Sequence, residues 1–313
     1  MADVFFRASN DAMSNITYAF DFVHPVTVSM KYVRKEIEKL TISNQFLSND
    51  KIKDVIDPSC SVHGVNYRRS FIEETWEEQE ERIAWLLLNN LFAIHEGWAQ
   101  RLYTEIFSDY GYYEKTFIKN LEFCGLVNKF SDYYVTSNRK SIQMEGAFFE
   151  VYMRKSGLDF GKLDNYMLCY RYFKEARNCF MHGNFIASQK LLDAYNDYVP
   201  VATKDDLDVS EVPIIIAPIL NKKVELNLRG VIGFSQIVWR IIRISDTYLL
   251  CTKAAEKEFL DRKPEGWKTR TLSGNTAKAK DQVNRYAMKA GFMKSKWTLD
   301  YQNFLIDNNI FTF

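Results

Sequence analysis

Residues that usually announce chemistry are scarce in this chain or missing from it. Its five cysteines, Cys60, Cys124, Cys169, Cys179 and Cys251, are odd in number and scattered, with no C-x-x-C pair. That argues against both a disulfide framework and a zinc ribbon. The four histidines, His24, His63, His95 and His182, show no metal-ligand spacing, and His95-Glu96 lacks the second histidine of a zincin helix. There is no G-x-x-x-x-G-K-[ST] loop and no G-x-G-x-x-G turn, so nucleotide hydrolysis and dinucleotide chemistry have no seat. Neither G-x-S-x-G nor a catalytic-cysteine signature occurs, and Cys179 reads as a small buried hydrophobe. No cofactor and no metal are expected.

Glycine and proline are also few, 13 and 6 in 313 residues, while aromatics reach 15%. That balance favours long helices over a turn-rich β fold, so a mainly α protein is expected. A hydrophobic content of 47% marks a globular chain with ample material for a core. No apolar run approaches the roughly 18 residues of a membrane span, and no secretory signal is visible at Met1–Arg7. A cytoplasmic, reduced protein without membrane contact is the expectation. Net charge is +1, so affinity for nucleic acid would need a local patch.

Along the chain, residues 1–60 read as two or three short helices broken at His24-Pro25 and Asp57-Pro58, where the pre-proline residue resists helix. From Ser70 to Phe107 runs a proline-free segment. Ile83, Leu87, Leu91, Ile94, Trp98 and Leu102 line one face, and Trp85, Leu88, Phe92, Ala99 and Tyr103 line a second. An apolar arc that wide predicts a central helix packed on more than one side. Its glutamate-rich start suits the positive end of a helix dipole. Further helices are expected at 113–128, 140–157, 163–181 and 230–258. Two short runs, 212–217 and 224–228, predict a small β-hairpin, irregular at Pro213 and Pro218.

The motif-bearing stretch is Arg177-Asn178-Cys179-Phe180-Met181-His182, followed by Gly183-Asn184. Tyr166, Cys169, Tyr170, Phe173, Ala176 and Phe180 recur at helical spacing, which predicts a buried stripe. At about 100° per residue Asn178 and His182 point the same way, away from that stripe. Arg177 falls at its edge, where the stem can lie on apolar surface and the guanidinium reach out. Glu96, on the largely buried 70–107 helix, needs a partner and is the candidate to anchor Arg177. A purely structural role is open too: a histidine next to Gly183 at a helix C-terminus also compensates the dipole, and Arg177 can pair with Glu96 or Glu175.

The spacing Arg177-Asn178-x-x-x-His182 resembles the signature of the HEPN superfamily, helical domains whose active members are metal-independent ribonucleases. The resemblance covers roughly residues 70–255. It implies a HEPN-like helical bundle at 66–258, here with the small hairpin, an N-terminal helical extension at 1–65 and a C-terminal extension at 259–313. It further implies an endoribonuclease, with Arg177, Asn178 and His182 catalytic and Glu96 supporting. The products would carry 2′,3′-cyclic phosphate and 5′-hydroxyl ends. The active site would be composite, formed across a homodimer, because one histidine cannot easily act as base and acid on opposite sides of a phosphate. The wider role would be that of a toxin or antiviral-defence effector acting on tRNA or mRNA, with an antitoxin or regulatory partner protein. The alternative is a non-catalytic HEPN-type dimerisation or interaction module.

The last segment, 262–296, holds ten basic residues against Glu265 and Asp281, a local balance of +8, with Trp267, Tyr286 and Phe292 interleaved and Trp297 just beyond. Basic side chains neutralise phosphates and aromatic faces stack on unpaired bases, so a single-stranded RNA platform is one expectation, with Lys278, Lys280 and Arg285 as contacts. A helical appendage docked on its own aromatics is the other.

Overall fold

The computed structural model describes residues 4–43, 47–56, 58–59, 64–108 and 140–312. The helix expected at 113–128 lies outside these residues, as do Cys60, His63 and Cys124. Ten helices of at least seven residues organise the described chain: α1 (Arg7–Ser43), α2 (Asn49–Ile56), α3 (Trp76–Leu102), α4 (Glu150–Ser156), α5 (Leu163–His182), α6 (Gln189–Tyr198), α7 (Leu228–Leu249), α8 (Lys253–Asp261), α9 (Thr276–Lys289) and α10 (Leu299–Asp307). Two-residue strands β1 (Arg270–Thr271) and β2 (Phe311–Thr312) pair in parallel. Among the described residues no helix is long and apolar enough to cross a membrane.

α1, α3, α5 and α7 form the central bundle, with α3 and α7 in contact with each other, α1 against both, and α5 against both. α1 turns Ala8, Ala12, Ile16 and Ala19 inward, a small-residue face that lets its axis come close to α3. α7 buries Val231, Phe234, Ile237, Val238, Ile241, Ile242 and Ile244, a stripe too wide for one neighbour.

Several boundaries differ from expectation. α1 runs unbroken through Pro25. His24 and Pro25 are exposed, so water can satisfy the carbonyl that loses its N–H partner. The 70–107 segment is not one helix. A π-helical turn, Arg69–Glu73, stops at an extended Glu74, and α3 begins afresh behind Thr75. There the Thr75 hydroxyl accepts from the Glu78 N–H at 3.2 Å while the Glu78 carboxylate accepts from the Thr75 N–H at 2.8 Å, a reciprocal cap that defines a helix start. The 230–258 helix is likewise two, α7 and α8. Between them the Cys251 carbonyl accepts the Ser141 N–H at 2.8 Å, and Lys140 and Thr252 form an antiparallel bridge.

The expected hairpin is absent: residues 212–219 and 225–227 form no strand. The first run lies instead on the start of α7. A Cβ built at Gly230 would sit 1.9 Å from the Ile214 carbonyl oxygen, and one at Gly233 would sit 2.9 Å from Pro213 Cα. These glycines, three apart on one helical face, admit the 213–214 backbone. The Tyr172 hydroxyl donates to the Ile216 carbonyl at 3.0 Å, giving one carbonyl the partner a ladder would have supplied.

The terminal segments share the core of the bundle. Phe5 meets Phe292 at 4.7 Å and Phe148 at 5.7 Å between ring centroids, and Phe259 meets Phe148 at 5.8 Å and Phe292 at 5.0 Å. Residues expected in three separate parts thus make one aromatic cluster. Beside it the start of α1 is held by two buried carboxylates. Asp246 of α7 accepts the Phe5 N–H at 2.5 Å and the Phe6 N–H at 3.0 Å, and Glu258 of α8 accepts the Arg7 N–H at 3.0 Å. These satisfy N–H groups that a helix start leaves without internal partners, and negative charge is favoured there. Arg262 completes the arrangement, donating to the Phe5 carbonyl at 2.7 Å and lying over the Phe292 ring at 3.9 Å.

Candidate active site

α5 carries the motif because one side of it is built to be buried. Tyr166, Cys169, Tyr170, Phe173 and Ala176 are fully buried, and Phe180 is half-buried at the stripe's end. Phe173 stacks on Phe234 of α7 at 4.4 Å, and Phe92 of α3 meets Tyr170 edge-on at 5.1 Å. These contacts fix the rotation of α5. Arg177 and Asn178 then fall at the edge of the core, and His182, the last helical residue, is exposed.

The helix stop behind His182 is set by tertiary contacts as well as by Gly183. The N–H groups of Gly183 and Phe185 both donate to the Cys179 carbonyl, at 2.9 and 3.0 Å. A Cβ at Gly183 would approach that oxygen to 3.0 Å. Asn184 and Phe185 follow at φ 49° and 66°, a left-handed pair that costs a bulky residue free energy. Phe185 is kept there by edge-on contacts with Phe180 at 4.8 Å and Trp85 at 5.7 Å, and its carbonyl accepts the Val224 N–H at 2.7 Å. The position of His182 is therefore tied to α3 and to the segment near Val224.

Arg177 Nη2 lies 3.4 Å from each oxygen of Glu96, so one nitrogen straddles the carboxylate. The guanidinium sits 5.6 Å from the centre of the Phe92 ring, and its Nε is buried without a hydrogen-bond partner. Stacking and ion pairing together hold the group in one orientation. Asn178 Nδ2 donates to Glu175 Oε2 at 3.4 Å, a long bond that leaves the amide able to turn. Around the helix Arg177 and His182 are separated by about 140°. Within one chain, then, Arg177 is joined to Glu96 and Asn178 to Glu175, while His182 stands apart with its imidazole in solvent.

His95, the neighbour of Glu96 in α3, has a different environment. It is fully buried, its Nδ1 is 3.0 Å from the Tyr170 hydroxyl, and its Nε2 has no partner. Burial, with Lys174 nearby, pushes its pKa down to about 3, so the ring stays neutral at any physiological pH. It is a core residue. Cys179 is buried with its thiol 3.6 Å from the Ser188 hydroxyl, and it faces no solvent.

A cavity of about 490 Å³, not foreseen from the sequence, opens beside the end of α5. Trp85, Phe180 and Phe185 form its apolar wall, and Glu81, Arg82 and Lys223 its charged rim, where Lys223 pairs with Glu81 at 2.8 Å. Lys223 reads as part of the connection between the two expected strands, so no spacing rule could bring it to α3.

In the basic segment the interleaved aromatics are not a stacking platform. Tyr286 and Phe292 are fully buried, and Trp267 is braced edge-on by Tyr286 at 4.8 Å. The rings of Tyr286 and Phe292 are consumed by the core, and Trp267 is half-buried beneath the Arg270 guanidinium. Lys278, Lys280 and Arg285 are all exposed on α9, but Lys278 and Arg285 share one face while Lys280 projects from the opposite side. Comparison with known proteins adds no relative: no family model, no curated protein and no solved structure matches the chain.

Proposed function

We propose that this protein is a metal-independent endoribonuclease of the HEPN kind, with a composite site at a homodimer interface. One observation carries the proposal: Arg177 is held between Glu96 and Phe92 five residues before an exposed His182 at the helix end. Arginine fixed in place suits a developing phosphorane charge, and an exposed imidazole suits proton transfer near neutral pH. In the reaction, the RNA 2′-oxygen bonds to the adjacent phosphorus as its proton passes to one imidazole. The bond from phosphorus to the 5′-oxygen breaks, and that oxygen takes a proton from a second imidazolium, leaving 2′,3′-cyclic phosphate and 5′-hydroxyl ends. Each chain offers one such histidine, so His182 of a second copy supplies the acid. Asn178 orients a phosphate oxygen or the imidazole, and Glu96 holds Arg177. A toxin or antiviral-defence role on tRNA or mRNA, restrained by an antitoxin or regulatory partner, is the wider setting of the proposal.

A second reading is favoured by the same geometry. Both Arg177 and Asn178 already have carboxylate partners in their own chain, as residues of a non-catalytic interaction module would. Incubation with tRNA and mRNA in excess EDTA separates the two. The ribonuclease cleaves both with and without chelator. His182→Ala abolishes cleavage while shifting stability by no more than about 0.5 kcal/mol, the range of surface substitutions. Cleavage retained in folded His182→Ala protein, or none by the wild type, overturns the proposal.

A further inference from the structure

Away from the motif in sequence, β1, α9 and β2 enclose a cavity of about 250 Å³. Its lining includes Arg270, Arg285 and Lys289, with Trp267, Phe311 and Gln282, and no acidic residue. Three cations brought to one small concavity repel one another unless an anion offsets them. No ion pair within the described residues involves Arg270, Arg285 or Lys289, although the structure pairs many of its other surface arginines with carboxylates. Asp281, one turn before Arg285, contributes only its backbone carbonyl, which accepts Arg285 Nε at 3.2 Å.

The cations are also braced by groups that do not themselves bind an anion. Arg270 lies over the Trp267 ring at 4.8 Å. That ring is locked in turn, since its Nε1 donates to the Ile310 carbonyl at 3.1 Å and Phe311 meets it edge-on at 5.8 Å. Stacking holds a guanidinium flat and leaves its N–H groups free to donate. Gln282 is committed at both ends, accepting from the Ser273 N–H at 2.9 Å and donating to the Thr271 carbonyl at 3.2 Å, so it braces the wall. Arg285 and Lys289 are four residues apart on one face of α9, and Lys278, two turns earlier, continues that face. Arg285 and Lys289 therefore line the same opening as Arg270.

We infer that this cavity is a binding site for a phosphate group, gripped by Arg270 and Arg285 and neutralised with the help of Lys289. A phosphate presents several acceptor oxygens and the charge that three cations require, and guanidinium groups match its geometry with paired donors. Two sources carry that chemistry, the backbone of single-stranded RNA and a free nucleotide. The RNA source rests on the ribonuclease proposal; the nucleotide source does not.

Binding to the full chain is measured with a labelled single-stranded RNA by anisotropy, and with 5′-AMP and inorganic phosphate by calorimetry. The variants are Arg270→Gln, Arg285→Gln/Lys289→Gln, and Lys35→Gln on the exposed side of α1 as a control. All replaced groups are exposed, and melting curves confirm folding. The inference expects at least one probe to bind, with tenfold or greater weakening in the double variant and in Arg270→Gln but not in Lys35→Gln. For RNA, the log–log salt slope should fall by about 0.7 for each phosphate that the variant no longer neutralises. Binding of RNA alone assigns the site to a backbone phosphate, and binding of AMP or phosphate alone assigns it to a free ligand. No binding of any probe, or equal binding by folded variants, overturns the inference. Cleavage of RNA by folded variants that no longer bind any probe would leave the ribonuclease standing without this site; phosphate binding without cleavage would overturn the ribonuclease and leave the site.

Discussion

Three donors converge on the carboxylate of Asp246: the N–H groups of Phe5 and Phe6, and the Ser9 hydroxyl, which itself accepts the Trp98 indole N–H at 2.9 Å. These bonds favour the ionised form, yet complete burial outweighs them and pushes the pKa from an ordinary 3.8 up to about 7. The folded state therefore holds this proton more tightly than the unfolded chain does. Its contribution to stability is full below about pH 4 and is lost as pH rises through about 7. Glu258, also raised by burial, acts in the same sense. Urea unfolding should accordingly give a smaller free energy at pH 8 than at pH 5.5, and Asp246→Asn should flatten that difference. A wild type and variant with parallel pH profiles would show that Asp246 is ionised throughout. No spacing in the sequence marks this residue, because its partners lie some 240 positions away. The motif helix is the opposite case: its apolar stripe and the outward turn of His182 follow from local period alone. The place of Arg177 against Glu96 follows from one further step, that a carboxylate on a buried helix requires a cation.

Helices are the most legible elements here, and their ends are the least. Apolar period locates α3, α5 and α7, since each must bury a stripe, whereas the stops arise from contacts the period does not contain. The Thr75–Glu78 cap, the Cys251–Ser141 bond and the solvent-facing Pro25 each shifted a boundary. The missing hairpin is the clearest instance. Val212–Ala217 has the composition of a strand, but Gly230 and Gly233 offer it a helix surface. Gly230→Ala tests that explanation, because its new methyl would collide with the Ile214 backbone and not with a flexible side chain. The expected cost is about 1–3 kcal/mol, the usual range for overpacking. Gly97→Ala, on a helix face with nothing within 4 Å of the new atom, should be neutral or stabilising by up to about 1 kcal/mol. Thermal melts of the two variants compare them directly, and a Gly230→Ala protein as stable as wild type would mean that the segment does not rest where it is described.

For the whole molecule, the ribonuclease proposal makes a statement about mass. A composite site requires two chains, so light scattering at tens of micromolar should give about twice the 36.8 kDa of one chain. A strict monomer at that concentration, still cleaving RNA, would put base and acid in one chain and remove the partner's His182 from the mechanism. Packing of the aromatic core crosses the three-part division that the family resemblance implies. Charge and aromatic content change along the chain, whereas the core ignores those changes: Phe5, Phe148, Phe259 and Phe292 belong to one cluster.

The capture of the first turn of α1 by Asp246 and Glu258 has a consequence for the order in which the molecule can be assembled. In synthesis Phe5, Phe6 and Arg7 precede the carboxylates that hold them by about 240 to 250 residues. At roughly 5–20 residues per second, that interval is on the order of tens of seconds. Until then Phe5 and Phe6 can meet only rings made earlier, such as Phe148 and Phe107, and the small-residue face of α1 has only α3 to lean on. The nascent chain thus carries the head of α1 without its carboxylate partners until α7 and α8 emerge, a natural point for a chaperone to attend it.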